Sequence, residues 1–356
     1  MKKLVIIQVA TPDYRAEFFS YLRNYLSINF ELYSGDMYFE KSITSDSLIK
    51  RIKIKNHYLF NRKLLFQTGV FHLIFNDIIL ILELNPRILS NWLILFFRKI
   101  MGRETILWGH AWSRKGKESK TDWFRNIMRT MASSIIVYTN SQKKELQKRM
   151  PSKNILAAPN AVLKASKMQT HEFNGDLINI IYVGRLTIEK KIMFLVKAFH
   201  KGLSKFPKGT KLFLVGKGSE RKRIEAYIKE HNLGGKIIIK GHIGGYSDLK
   251  DLYNISFFSA SPGYAGLSIT QSFGFGVPIL VSKNEKHSPE IEAVVPNKNA
   301  LFYETDNYDN FIEVLQKAYL NKQYWSSRRP EIIKFCKENY STESMAEVFI
   351  NLCVDR

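Results

Sequence analysis

The sequence predicts an α/β protein made of two halves, each a parallel sheet wrapped by helices. Three observations predict this. Short runs rich in Ile, Leu and Val alternate with amphipathic stretches along the whole chain. The alternation stops in a polar, aperiodic segment, residues 163–177, and then begins again. The length, 356 residues, suffices for two ordinary cores.

In the first half, residues 4–9 read as a buried strand and residues 17–26 as the helix that follows it. Residues 30–33 fit a second strand. Residues 34–67 are polar, basic and aromatic, with no period that assigns them to an element. A strand is predicted over 77–82 and an apolar helix over 91–100. A further strand over 105–108 delivers Gly109, His110 and Arg114 to a loop. Residues 135–138 are again strand-like, and 141–150 form a helix with Ser141 at its N-cap. In the second half, strands are predicted over 178–183, 211–215, 236–240, 255–260 and 277–282. Helices over 193–203, 220–231 and 247–253 lie between them, and amphipathic segments 310–320, 330–338 and 344–352 close the chain.

Composition narrows the class. With 45% hydrophobic and 24% charged residues the chain is a folded globular protein, not a disordered one. No apolar run is long enough to span a bilayer; the most hydrophobic region, 78–100, is broken by Glu83, Asn85, Pro86 and Arg87. The start meets Pro12, Asp13 and Arg15 soon after its apolar run, which suits a first strand better than a cleaved leader. Cys336 and Cys353 form neither a disulfide framework nor a metal cluster. A cytoplasmic protein is expected.

The formal charge is +22, and residues 1–164 carry 27 Lys and Arg against 12 Asp and Glu. Such a surplus invites an anionic partner, although a solvated basic surface would account for it too. No nucleic-acid motif is present, so no nucleic-acid partner is expected. Residues 92–97, followed by Arg98 and Lys99, fit either a core helix or a helix at a membrane surface. The charge of the first half favours peripheral contact with an anionic membrane face.

The stretch from Ser259 to Ser282 organises the second half. A buried strand ends in Ser261-Pro262-Gly263, and Gly266, Leu267 and Ser268 lead into a short helix. That geometry presents unpaired amides and a helix dipole to a phosphate. An ordinary βα turn would look the same. A second turn, Gly184-Arg185-Leu186 with Lys190 after it, places an arginine and a lysine where both can converge on one diphosphate. Two such turns in one half favour function over two solvated cations.

These residues resemble a family. VGRLTIEKK, LVGKGSE, GHIGGYSDLKDLY and SPGYAGLSITQSFGFGVPIL occur in the order found in the family 4 retaining glycosyltransferases. In the first half, QVATPDYRAEFF, DIILILELNPR and ILWGHAWSR resemble a subgroup acting on bacterial surface polysaccharides such as lipopolysaccharide, O-antigen or capsule. The resemblance implies a GT-B architecture of two facing Rossmann-like domains with a cleft between them. The implied divisions are residues 1–165 on the acceptor side, 166–335 for the nucleotide sugar, and a C-terminal helix in 336–356 crossing back. It implies an NDP-sugar donor, a lipid-linked or other saccharide acceptor, and a peripheral position on the inner face of the plasma membrane.

Arg185 and Lys190 would then stabilise the leaving diphosphate, and His110 would line the site near the transferred sugar. Gly216, Gly263, Tyr264, Gly266, Leu267, Ser268 and Gln271 form the implied donor set, and Tyr14, Arg15 and Arg114 the acceptor-side set. No Asp-x-Asp occurs, and no metal or other cofactor is expected. The chain departs from the family at two positions. Gly263 and Gln271 stand where two glutamates eight positions apart meet the donor sugar and the ribose. Gln271 retains donors and acceptors for ribose hydroxyls; Gly263 offers only backbone. Glu290 matches a commonly acidic position, and a first-turn helix carboxylate would fit it as well. The rival readings are an NDP-sugar epimerase on the same architecture, a catalytically inert GT-B scaffold, and a non-catalytic basic nucleic-acid- or membrane-binding protein.

Overall fold

The computed structural model describes residues 2–41, 43–113, 116–170 and 176–354. The chain divides into two compact units. Met1–Val162 with Thr342–Arg356 forms one, and Leu163–Ser341 the other.

In the first unit the elements run β1 (Leu4–Gln8), α1 (Ala16–Leu26), β2 (Phe30–Ser34), β3 (Ile52–Lys53), β4 (Lys55–Leu59), β5 (Leu64–Thr68), β6 (Ile79–Glu83), α2 (Leu89–Ile100), β7 (Thr105–Trp108), α3 (Asp122–Met131), β8 (Ser134–Val137), α4 (Asn140–Arg149) and β9 (Asn154–Ala157). Seven of the strands form a parallel sheet in the order β3-β2-β1-β6-β7-β8-β9. Alternate residues of a strand face opposite sides. Leu4 and Ile6 therefore pack with Phe18, Phe19 and Phe349 on one face, while Val5 and Ile7 join Leu80, Leu82, Ile94 and Leu95 on the other.

The second unit contains β10 (Asn179–Val183), α5 (Ile192–Gly202), β11 (Leu212–Val215), α6 (Arg221–Glu230), β12 (Ile237–Gly241), α7 (Tyr246–Asn254), β13 (Ser256–Ser261), α8 (Ser268–Gly274), β14 (Ile279–Ser282), β15 (Ala300–Tyr303), α9 (Tyr308–Leu320), α10 (Lys322–Ser327) and α11 (Arg329–Tyr340). Its parallel sheet has the order β12-β11-β10-β13-β14-β15. The last helix, α12 (Thr342–Val354), belongs to the first unit, where Phe349 meets Phe18 and Trp108 at ring separations of 5.0 and 4.9 Å. Two Rossmann-like units and a C-terminal helix are the architecture expected from the sequence.

Several local expectations change. The unassigned stretch 34–67 takes in nearly all of the antiparallel hairpin β4–β5, residues 55–68, whose turn sets Phe60, Asn61 and Arg62 at positive φ. The cap of α4 is Thr139, whose hydroxyl accepts from the Gln142 amide at 3.0 Å, and not Ser141. The start of the predicted linker belongs to the second unit's packing: Leu163 and Met168 are buried, and both lie beside Gly274. Arg98, which the sequence leaves on either a core helix or a membrane-surface helix, is fully buried. It donates to the carbonyls of Leu73, Asn76, Ile78 and Glu104 and to the Thr105 hydroxyl, tying α2 to its sheet.

Candidate active site

In an open parallel sheet, ligands meet the carboxyl ends of strands where the strand order reverses. The second unit reverses between β10 and β13, and its two predicted turns leave those strands. They touch. Tyr264 N–H donates to the Glu189 carbonyl at 3.3 Å, and Lys190 Nζ donates to the Tyr264 carbonyl at 2.6 Å. The Lys190 ammonium also stands 4.3 Å from the centroid of the Tyr264 ring. Arg185 is exposed at the same edge. Burial and, after it, the neighbouring Arg185 guanidinium draw the Lys190 pKa down to about 8, against the pull of Glu290 and Glu189.

Gly263 has a packing role that its sequence position conceals. A Cβ there would lie 2.5 Å from the Glu189 carbonyl oxygen and 2.9 Å from the Lys190 carbonyl carbon. The glycine lets the two turns meet, and a carboxylate at 263 does not fit this backbone. Gly216, at φ +144°, is equally a packing residue: its Cα lies against the Gly184 carbonyl, and Leu186 N–H donates to the Lys217 carbonyl at 3.0 Å. Gly266 lies close to Ser288 and Glu290, with Glu290 Oε2 3.9 Å from the place of a Cβ. Leu267 and Ser268 begin α8, and Gln271 is half-buried in its first turn. The structure therefore groups Arg185, Lys190, Tyr264, Gly266 and Glu290 around one backbone turn. Two cations beside amides at a helix start suit an anionic diphosphate.

In the first unit the strand order reverses between β1 and β6. His110 is exposed after β7, its ring 4.7 Å from that of Tyr138, and its carbonyl accepts from Arg125. Tyr14 is partly exposed, but Arg15, expected to touch a ligand, is buried. It lies 4.4 Å over the Trp108 ring and donates to the Asn160 side chain at 3.0 Å. One arm of the guanidinium finds acceptors inside the unit, while its Nη1 is buried without a hydrogen-bond partner. Arg114 lies outside the described residues.

Sequence reasoning missed Glu83 at the end of β6. Val9 N–H donates to its carboxylate at 2.6 Å, and burial raises its pKa to about 7 despite that bond and the nearby Arg15. It also missed His287 and Ser288, which brace the Tyr264–Gly266 turn. An isolated His or Glu carries no periodic signal, and only the fold brings these residues to strand ends. Among the described residues, no group of three or more His, Cys, Asp or Glu is placed to hold a metal.

Comparison with known proteins fits this geometry. Residues 164–335 match the family described as Glycosyl transferases group 1. The chain is 23% identical over 224 residues to the poly(ribitol-phosphate) alpha-N-acetylglucosaminyltransferase of Staphylococcus aureus, covering 62% of this chain and 43% of that protein. It is 25% identical over 147 residues to the lipopolysaccharide 1,6-galactosyltransferase of Escherichia coli, covering 40% of each. The matches thus span less than half the length of either relative. Anabaena Alr3699/HepE in complex with UDP is similar over the whole of both chains, with a TM-score of 0.70 at 12% identity. That likeness shows the GT-B fold.

Proposed function

We propose, from the similarity of residues 164–335 to the group 1 glycosyl transferases, that this chain is a family 4 retaining glycosyltransferase of bacterial surface-polysaccharide assembly. Its second unit holds an NDP-sugar, and the sugar passes to a lipid-linked saccharide acceptor. The observation that carries this reading is the pair of touching turns, with Lys190 on the Tyr264 carbonyl and Arg185 at the same strand edge. Those cations neutralise the diphosphate as the glycosidic bond breaks, and charge that develops in the transition state rewards fixed partners. With two such cations at the diphosphate, the reaction needs no metal bridge there. Gln271 serves the ribose, and His110 with Tyr14 the saccharide side.

A second observation supports membrane association. Helices α2 and α3 pack on each other, and both turn apolar side chains outward. These are Leu93, Phe96, Phe97 and Ile100 on α2, and Trp123, Phe124 and Ile127 on α3. Phe96 is 52% and Trp123 55% exposed, with the exposed Lys99 and Lys120 nearby in sequence. An anionic inner membrane face would take both the apolar and the basic groups. No helix is long and apolar enough to cross a membrane, among the residues described.

The test begins with a thermal-shift panel of nucleoside diphosphates and nucleotide sugars, followed by transfer assays with and without EDTA. Arg185→Ala and Lys190→Ala should each cost roughly 2–4 kcal/mol of transition-state stabilisation, and Gln271→Ala roughly 1–3 kcal/mol of nucleotide binding. Near-normal turnover in the double cation variant would remove the basis of the site. Isomerised sugar nucleotide without acceptor would point to the epimerase reading.

A further inference from the structure

The segment after β14 carries a histidine that the donor reading leaves without a task. His287 Nδ1 lies 3.1 Å from the Ala265 amide and accepts its hydrogen. His287 Nε2 lies 2.8 Å from the Ser282 carbonyl, which can only accept, so Nε2 carries the proton and the ring is neutral. Next to it, Ser288 N–H donates to the Ala265 carbonyl at 2.8 Å, and the Ser288 hydroxyl meets the Tyr264 hydroxyl. Both main-chain polar groups of Ala265 are thus held by residues 287 and 288. Ala265 sits between the carbonyl that receives Lys190 and the glycine at the start of α8.

We propose that His287 is a positioning residue for the donor diphosphate. In its neutral form it fixes the Tyr264–Gly266 turn, and protonation at Nδ1 turns the acceptor of the Ala265 amide into a second donor and releases the turn. This inference rests on the donor reading of the second unit. The charged groups that face the histidine are Glu285 on its own segment and Lys190 on the turn after β10. Lys191 is held by Glu285 and Asp306 at 2.6 and 2.7 Å, and Glu290 lies beside Gly266. Burial first, and Lys190 after it, lower the imidazole pKa, opposed by the Ser282 carbonyl and Glu285. The sign follows. The neutral ring is complete above the ordinary imidazole value of about 6.5, and its contribution is lost as pH falls through the lower folded value.

The experiment is a calorimetric titration of the full chain with UDP at about pH 7, where Lys190 keeps its charge, and about pH 5.5, with melting temperatures recorded in parallel. His287→Gln keeps a group near Nε2 but has no acceptor at the Nδ1 position; it should bind UDP roughly tenfold more weakly at the higher pH, the scale of an amide left unpaired. His287→Asn places its amide oxygen at the Nδ1 position and should restore binding. The Asn variant should also lose the part of the acid-induced drop that belongs to the ring, while protonation of UDP itself is common to all three proteins. His287→Gln binding as tightly as the unsubstituted chain overturns the inference and leaves the donor reading standing. Equal losses of melting temperature in both variants, with no rescue of binding by Asn, assign the histidine to the fold alone and overturn it as well. An unsubstituted chain that binds neither UDP nor any other nucleoside diphosphate refutes the donor reading, and this inference with it.

Discussion

Gly263→Ala puts one methyl group into the contact that joins the turns after β10 and β13. The nearest atom to that methyl would be the Glu189 carbonyl oxygen at 2.5 Å, with the Lys190 carbonyl carbon and oxygen at 2.9 and 3.1 Å. Ordinary contact begins at 3.4 Å, so the main chain at 189–190 has to retreat by about 0.9 Å. These atoms are backbone and cannot rotate away. The retreat carries Lys190 off the Tyr264 carbonyl, and a misplacement of ~1 Å at a reacting centre costs on the order of 100-fold in rate. Overpacking adds about 1–3 kcal/mol of instability, read as a fall of several degrees in melting temperature. Gly263→Glu suffers the same collision, so returning a carboxylate to this position should not recover a sugar contact. Nucleoside diphosphate titration, transfer rates and a melting curve measure the three effects. An alanine variant that binds, transfers and melts like the parent would refute the argument, because the two turns would then not depend on their contact.

Other consequences follow from single groups. Lys190, at a pKa of about 8, should lose its charge as pH rises through that value. Diphosphate affinity should fall on the alkaline side, and Lys190→Arg should flatten the profile; an unchanged profile would place the lysine outside the site. Phe96→Ala combined with Trp123→Ala should weaken sedimentation with anionic vesicles and leave the melting temperature unchanged. Trp92→Ala should lower stability instead, since Trp92 packs on the core and donates to the Pro86 carbonyl at 3.0 Å. Glu83 has a folded pKa raised to about 7, so the fold favours its neutral form and stability declines as pH rises from the ordinary carboxyl range to that value. Glu83→Gln, still able to accept from Val9 N–H, should melt higher than the parent above neutral pH; a lower melting point would contradict the buried-carboxyl account.

Local periodicity and order along the chain are what the sequence determined. Buried strands such as β1 and β6 are continuous apolar runs, and helices such as α1 and α5 repeat their apolar residues every three or four positions, so each was legible where it stood. The order of VGRLTIEKK, LVGKGSE and SPGYAGLSITQSFGFG likewise carried the family resemblance and pointed to Arg185 and Lys190. The hairpin β4–β5 escaped because its strands are only half-buried and form a pair apart from the main sheet, which leaves no strong apolar pattern.

Tertiary structure alone decided the rest, because it turned on partners distant in sequence. Arg98 fits a core helix or a membrane surface until carbonyls from residues 73 to 104 are found around it, and the exposure of Arg15 is undecided until Asn160 and Trp108 are found beside it. Gly263 reads as a missing glutamate until the backbone of residues 189 and 190 is found pressed against it. A side chain's charge is written in the sequence; whether that charge meets water, a ligand or a ring of carbonyls depends on which distant strands and turns the fold brings beside it.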